Sequence, residues 1–181
     1  MRCRRHFLTW LLAGSALGAR AQAQASRPEL VGLPDVQPRA LSRFSVWGFD
    51  VYDARLWTAP GFELRQYAKH GFALELQYLR KLQGQAIAER SLDEMRRLAS
   101  LPQAQAQAWL EALRRALPDV AAGDRITGVH LPGQGAEFWF NGRRVGQVPD
   151  AQFANLFFGI WLDGRTSEPQ LRARLTQGLA P

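Results

Sequence analysis

One stretch of this sequence gathers the residue types of a reactive loop. In FFGIWLDGRTSEP, residues 157–169, apolar side chains are followed by an acid, a glycine, an arginine and two hydroxyls. Asp163, Arg165, Thr166 and Ser167 suit acid–base or anion-binding chemistry, and they suit a joint between two helices equally well. The spacing favours the joint. Phe153, Leu156, Phe157, Ile160 and Trp161 form a broad apolar stripe that ends near Leu162. Gly164 stands where a left-handed C-terminal cap needs a residue without a Cβ. Ser167 and Gln170 have capping-box spacing, while Glu168 and Pro169 suit a first helical turn. Asp163 and Arg165 then pair with each other or with the loop backbone.

The other chemically expressive residues are scattered. Arg80 shares the apolar face of an alternating segment with Tyr78, where a guanidinium must be paired, reach water or meet an anionic ligand. Tyr52 and Tyr78 either aim hydroxyls into a cleft or satisfy them in the core. Glu94 and Arg97 have helical spacing for a local ion pair. His70 and His130 lack metal-ligand spacing, so no metal site is expected. No G-x-S-x-G and no glycine-rich phosphate loop is present, and nothing asks for a cofactor.

These residues need elements to position them. Residues 26–40, with three prolines, read as an irregular lead-in. Residues 41–59 are aromatic and β-branched, predicting one long strand or two joined at Gly48. Their two apolar faces imply cover on both sides. Phe72, Leu74, Leu76, Tyr78, Arg80 and Leu82 alternate on a further strand. Two helices follow, interrupted near Pro102, the second with a Trp109, Leu110, Leu113, Leu117 stripe. Turn signals at 132–135 and at Asn141–Gly142 divide the next region into an antiparallel meander. Asp150 then caps the helix that runs into the opening stretch. Strands and helices come in runs, which predicts an α+β domain over 41–179.

Residues 1–25 carry an address. A basic MRCRR, an apolar FLTWLLAGSALG and small residues allowing cleavage after Ala21, Ala23 or Ala25 make a signal peptide, too short for a transmembrane anchor. RRHFL also fits the twin-arginine pattern, and the general secretory route fits equally. A periplasmic or secreted protein is expected. Its removal leaves 19 basic and 16 acidic side chains, net +3 instead of +7, without a basic block for nucleic acid. Cys3, the single cysteine, leaves with it, so no disulfide or thiol chemistry is expected.

Taken together, FSVWGFDVYDARLW, the LELQYLRKL and AERSLDEMRRL pair, PDVAAGDRITGVHLPGQGAEFWFNGRRVG and FFGIWLDGRTSEPQLR resemble the bacterial chalcone isomerase-like proteins, over about residues 28–179. The resemblance implies an open-faced β-sandwich, a long antiparallel sheet layered with helices, and a cleft between the layers. The enzyme's tyrosine–lysine–asparagine helix falls near Glu89, Leu92 and Arg96, and Trp47 falls near its threonine, with only Arg39 or Arg43 for its arginine. That mismatch argues against chalcone isomerase activity. The fatty-acid-binding relatives hold a carboxylate with an arginine and a tyrosine, and Arg43 or Arg80 with Tyr52 or Tyr78 would do so here. The expected function is a non-catalytic periplasmic binder of a small hydrophobic or amphipathic acid. An isomerase or lyase acting on an enone-type or aromatic substrate, and an envelope interaction module with a filled cleft and an unknown protein partner, remain as alternatives.

Overall fold

A computed structural model describes residues 27–180 of the chain. The segment read as a signal peptide lies outside the described residues. Seven strands form one sheet in which every described pairing is antiparallel: β1 (Gln37–Pro38), β2 (Ser42–Val46), β3 (Phe49–Thr58), β4 (Phe72–Tyr78), β5 (Arg125–Leu131), β6 (Gly135–Phe140) and β7 (Arg143–Val148). The spatial order is β1-β3-β4-β5-β6-β7, and β2 also pairs with β3. The helices are α1 (Gly84–Leu98), α2 (Gln103–Ala116), α3 (Ala151–Leu162) and α4 (Pro169–Leu175).

Residues 41–59 are two strands, not one. Trp47 and Gly48 take φ values of +49° and +82°, the positive pair that closes a two-residue hairpin. Asn141 and Gly142 repeat those values, at +49° and +81°, between β6 and β7.

All four helices pack on one face of the sheet. Leu56, Leu74 and Phe138 lie in one register row with Gly128 between them. A Cβ on Gly128 would come within 3.1 Å of Phe158, so its absence lets α3 settle directly on the sheet. The core of this layer includes Phe72, Phe138, Phe153, Phe158, Met95 and Leu113, each fully buried. His130 is buried with them, stacked on Phe72 with centroids 4.8 Å apart. Its Nδ1 lies 2.8 Å from the His70 carbonyl and its Nε2 3.3 Å from Asn155 Oδ1. Burial pulls its pKa below the usual histidine value.

The opposite face is covered by residues 27–40, which pack more closely than an irregular lead-in suggests. Leu33 closes on Trp57, Ala73 and Val129, and β1 pairs with the end of β3. Beside this patch, buried Glu29 and Glu75 meet Arg27 and Arg125, with Arg125 Nη2 3.1 Å from Glu29 Oε1. Carboxylates so far from water need these partners, because their desolvation costs several kcal/mol. The two-sided cover expected for β3 is therefore real, and its second layer is this segment.

Residues 157–169 make the predicted helix–helix joint, with different caps. α3 begins at Asp150, whose carboxylate accepts from Phe153 N at 3.0 Å and from Trp109 Nε1 at 3.0 Å. It ends at Asp163 in extended conformation, and Gly164 has no left-handed φ, so the glycine cap does not form. Glu168, not Ser167, is the N-cap of α4, and no side chain caps it. The stop comes from side chains instead. Thr166 donates to the Ile160 carbonyl at 2.6 Å, and Arg172 donates to the Leu162 carbonyl at 2.7 Å. Asp163 and Arg165 do pair, and Arg165 also donates to the Leu98 carbonyl at 2.9 Å, tying the joint to the end of α1.

Candidate functional site

Antiparallel register brings Phe44, Tyr52 and Tyr78 side by side across β2, β3 and β4. Phe44 and Tyr52 stack at 5.0 Å, and Tyr52 meets Tyr78 edge-on at 6.0 Å. This aromatic row floors a cavity of about 540 Å³ between the sheet and the helices. Ile87, Arg90, Ser91 and Glu94 of α1 form one wall, and Phe157, Ile160 and Trp161 of α3 another. Ser167, Glu168 and Leu171 enter from α4 and the loop before it, and Val46 and Trp47 stand at the hairpin tip. The volume lies within the range of small-molecule pockets, and the lining is mostly apolar.

The polar groups are few. Trp161 Nε1 donates to the Tyr52 hydroxyl at 3.1 Å, leaving that hydroxyl its own proton to donate. Tyr78 is buried in the same floor. Burial raises the pKa of both phenols well above the ordinary value, so each stays a neutral donor at physiological pH. Glu94 is only 6% exposed. Its carboxylate is held by Arg90 Nη2 at 2.6 Å and lies 3.6 Å from Arg97 Nε. Arg90 itself keeps most of its side chain in water, which leaves it open to an exchange of partner. The arrangement can enclose an apolar body and offer its head two phenol donors and an exchangeable guanidinium–carboxylate pair.

Of the four residues expected to bind ligand, the fold brings Tyr52 and Tyr78 together and leaves both arginines out of the lining. Arg43 neighbours Phe44, so the pleat turns it to the opposite face. There Asp53 engages it at 2.7 and 2.9 Å and Asp50 at 2.9 Å, and the hydrogen bonds from Arg43 to Asp53 hold the Asp53 carboxyl below its usual pKa. Arg80 follows the end of β4 at Tyr78, where alternation no longer applies. Its guanidinium lies over the Phe49 ring, 5.5 Å from the centroid, outside the cavity. Arg39 is also elsewhere, donating to Thr58 Oγ1 at 2.7 Å.

Glu89, Leu92 and Arg96 do not line the cavity either. Glu89 bonds Arg114 at 2.7 Å, Leu92 is in the core, and Arg96 pairs with Asp93. Glu168 of the lining was read only as a first-turn helix residue, and sequence reasoning also missed a site role for Arg90 and for Glu94, to which it gave only an ion pair with Arg97. The signal for Arg90 and Glu94 is in the helix period, since Ile87, Arg90, Ser91 and Glu94 fall at i, i+3, i+4 and i+7 and share a face. Among the described residues no group of three or more His, Cys, Asp or Glu side chains could hold a metal. Nor is any described helix long and apolar enough to cross a membrane.

Comparison with known proteins agrees with this architecture. A search of curated proteins finds no match. Among solved structures, a fatty-acid binding protein of Arabidopsis thaliana superposes with a TM-score of 0.59 at 12% identity, over 78% of this chain and 87% of the plant protein. At that identity the likeness is one of fold. The family model for chalcone isomerase-like proteins matches residues 42–176, from the first residue of β2 to just past α4. The chain belongs to the chalcone isomerase-like family.

Proposed function

We propose that this protein is a non-catalytic binder of a small hydrophobic or amphipathic molecule, acting in the periplasm or outside the cell. The observation that carries the reading is the cavity: about 540 Å³, apolar over most of its wall, and floored by Phe44, Tyr52 and Tyr78. An interaction module with a filled cleft fits that open space poorly. A solved structure with the same fold is that of a plant fatty-acid binding protein, which is consistent with enclosure of an acyl chain. An acid is held here by Arg90 rather than by Arg43 or Arg80, its carboxylate displacing Glu94 from the guanidinium while Tyr52 and Tyr78 donate to it. The test is titration of the purified protein with dodecanoate by calorimetry, followed by Tyr78→Phe and Arg90→Gln. Saturable one-to-one binding weakened by both changes supports the reading, and no saturable binding of dodecanoate, dodecanol or dodecylamine overturns it.

A further inference from the structure

The β2–β3 hairpin tip carries side chains that neither the turn nor the core uses. Its first turn residue, Trp47, has φ +49° and is 94% exposed. Positive φ is costly for a bulky side chain, and two-residue turns of this kind favour Asn, Asp or Gly there. The same chain makes the same turn between β6 and β7 with Asn141–Gly142. An apolar indole held in water at a strained position gains nothing for folding. Phe49, 62% exposed, and Val46 stand beside it, so the tip is a contiguous apolar knob.

The free charges beside the knob are basic. Arg80 lies over the Phe49 ring, and Lys81 follows it at the surface. Asp50, next along the strand, is already held by Arg43 at 2.9 Å and by Ser45 at 2.7 Å. Exposed aromatic side chains with adjacent Arg and Lys match the boundary between headgroups and acyl chains of an anionic bilayer. Val46 and Trp47 also line the cavity, so whatever seats on the tip sits at its mouth.

We propose that the hairpin tip docks on an anionic lipid surface, inserting Trp47 and Phe49 while Arg80 and Lys81 meet the headgroups. The cavity would thereby open toward the bilayer, giving an apolar ligand a path that avoids water. That purpose rests on the binding reading above, but the docking itself does not.

The test is co-sedimentation with vesicles of phosphatidylcholine alone or mixed with phosphatidylglycerol. Wild type, Trp47→Asn, and Trp47→Asn with Phe49→Thr are compared, all with the same N-terminus. Asn is the residue of the sister turn, so loss of binding by misfolding is not expected, and the thermal midpoint checks it. Wild type should bind the anionic vesicles at least tenfold better than the neutral ones, and the double variant should lose at least tenfold. Equal binding by wild type and double variant, or no preference for anionic lipid, overturns the proposal. So does a wild-type dimer in sedimentation equilibrium that Trp47→Asn dissociates, because a second copy would then own the tip. Dodecanoate titration in solution separates the two readings: intact ligand binding without vesicle binding removes this inference alone.

Discussion

Changing Glu94 to Gln tests how the cavity handles charge. In the wild type the Glu94 carboxylate occupies Arg90 Nη2 at 2.6 Å and keeps a negative charge in the polar end of the cavity. A ligand carboxylate arriving at Arg90 must displace that group and then sit near it. At a separation of about 6 Å and an effective dielectric of about 40, the repulsion is about 1.4 kcal/mol, and at about 20 it doubles. Glu94 is buried while Arg90 is mostly in water, so the lower figure is a floor and at least about tenfold in Kd is expected. Gln keeps the shape and removes the charge. Calorimetric titration should therefore show dodecanoate binding Glu94→Gln at least about tenfold more tightly, with dodecanol changed less than about threefold. Arg90→Gln should move dodecanoate the other way by at least as much. Unchanged or weaker dodecanoate binding in a folded Glu94→Gln protein would refute the exchange, and so would equal tightening of the alcohol.

Ile87→Trp, on the α1 wall, should fill the cavity and weaken every probe at least tenfold while the thermal midpoint stays within a few degrees. Asp150→Ala removes the α3 cap and the acceptor of the Trp109 indole, and urea unfolding should show a loss of about 2–3 kcal/mol. His130 has a folded pKa below its unfolded value of about 6.5, so the unfolded chain takes up the proton first. Its contribution to stability is complete above about pH 6.5 and declines as pH falls through the lower folded pKa; midpoints rising on acidification from pH 6.5 to 5 would contradict this. Tyr52 and Tyr78 have raised pKa values, so their contribution holds below about pH 10 and is lost above it, as the unfolded tyrosines ionise. Alkaline melting curves should show that decline, and a Tyr78→Phe variant should show less of it.

Local chemistry made much of the fold legible. Period-2 and period-3.6 patterns locate the strands and helices, Asn141–Gly142 marks its hairpin, and Asp150 marks the start of α3. The helix–helix joint at 157–169 was legible as a joint, but its caps were not. Arg165 and Arg172 reach carbonyls of α1 and α3, and such long-range partners replace the local glycine and serine devices. The site divides in the same way. Alternation puts Tyr78 on the apolar face of its own strand and sets Arg43 opposite to Phe44, while the β3–β4 register is what joins Tyr78 to Tyr52. Alternation says nothing of Arg80, because β4 stops at Tyr78 and the pleat stops with it. The α+β element order and the apolar face of each strand and helix follow from the sequence alone, since each depends on neighbours within a few residues. Only the assembled fold joins Phe44, Tyr52 and Tyr78 into one floor and turns Arg90 and Glu94 of α1 toward it, because strand register and helix packing bring together residues far apart in the chain.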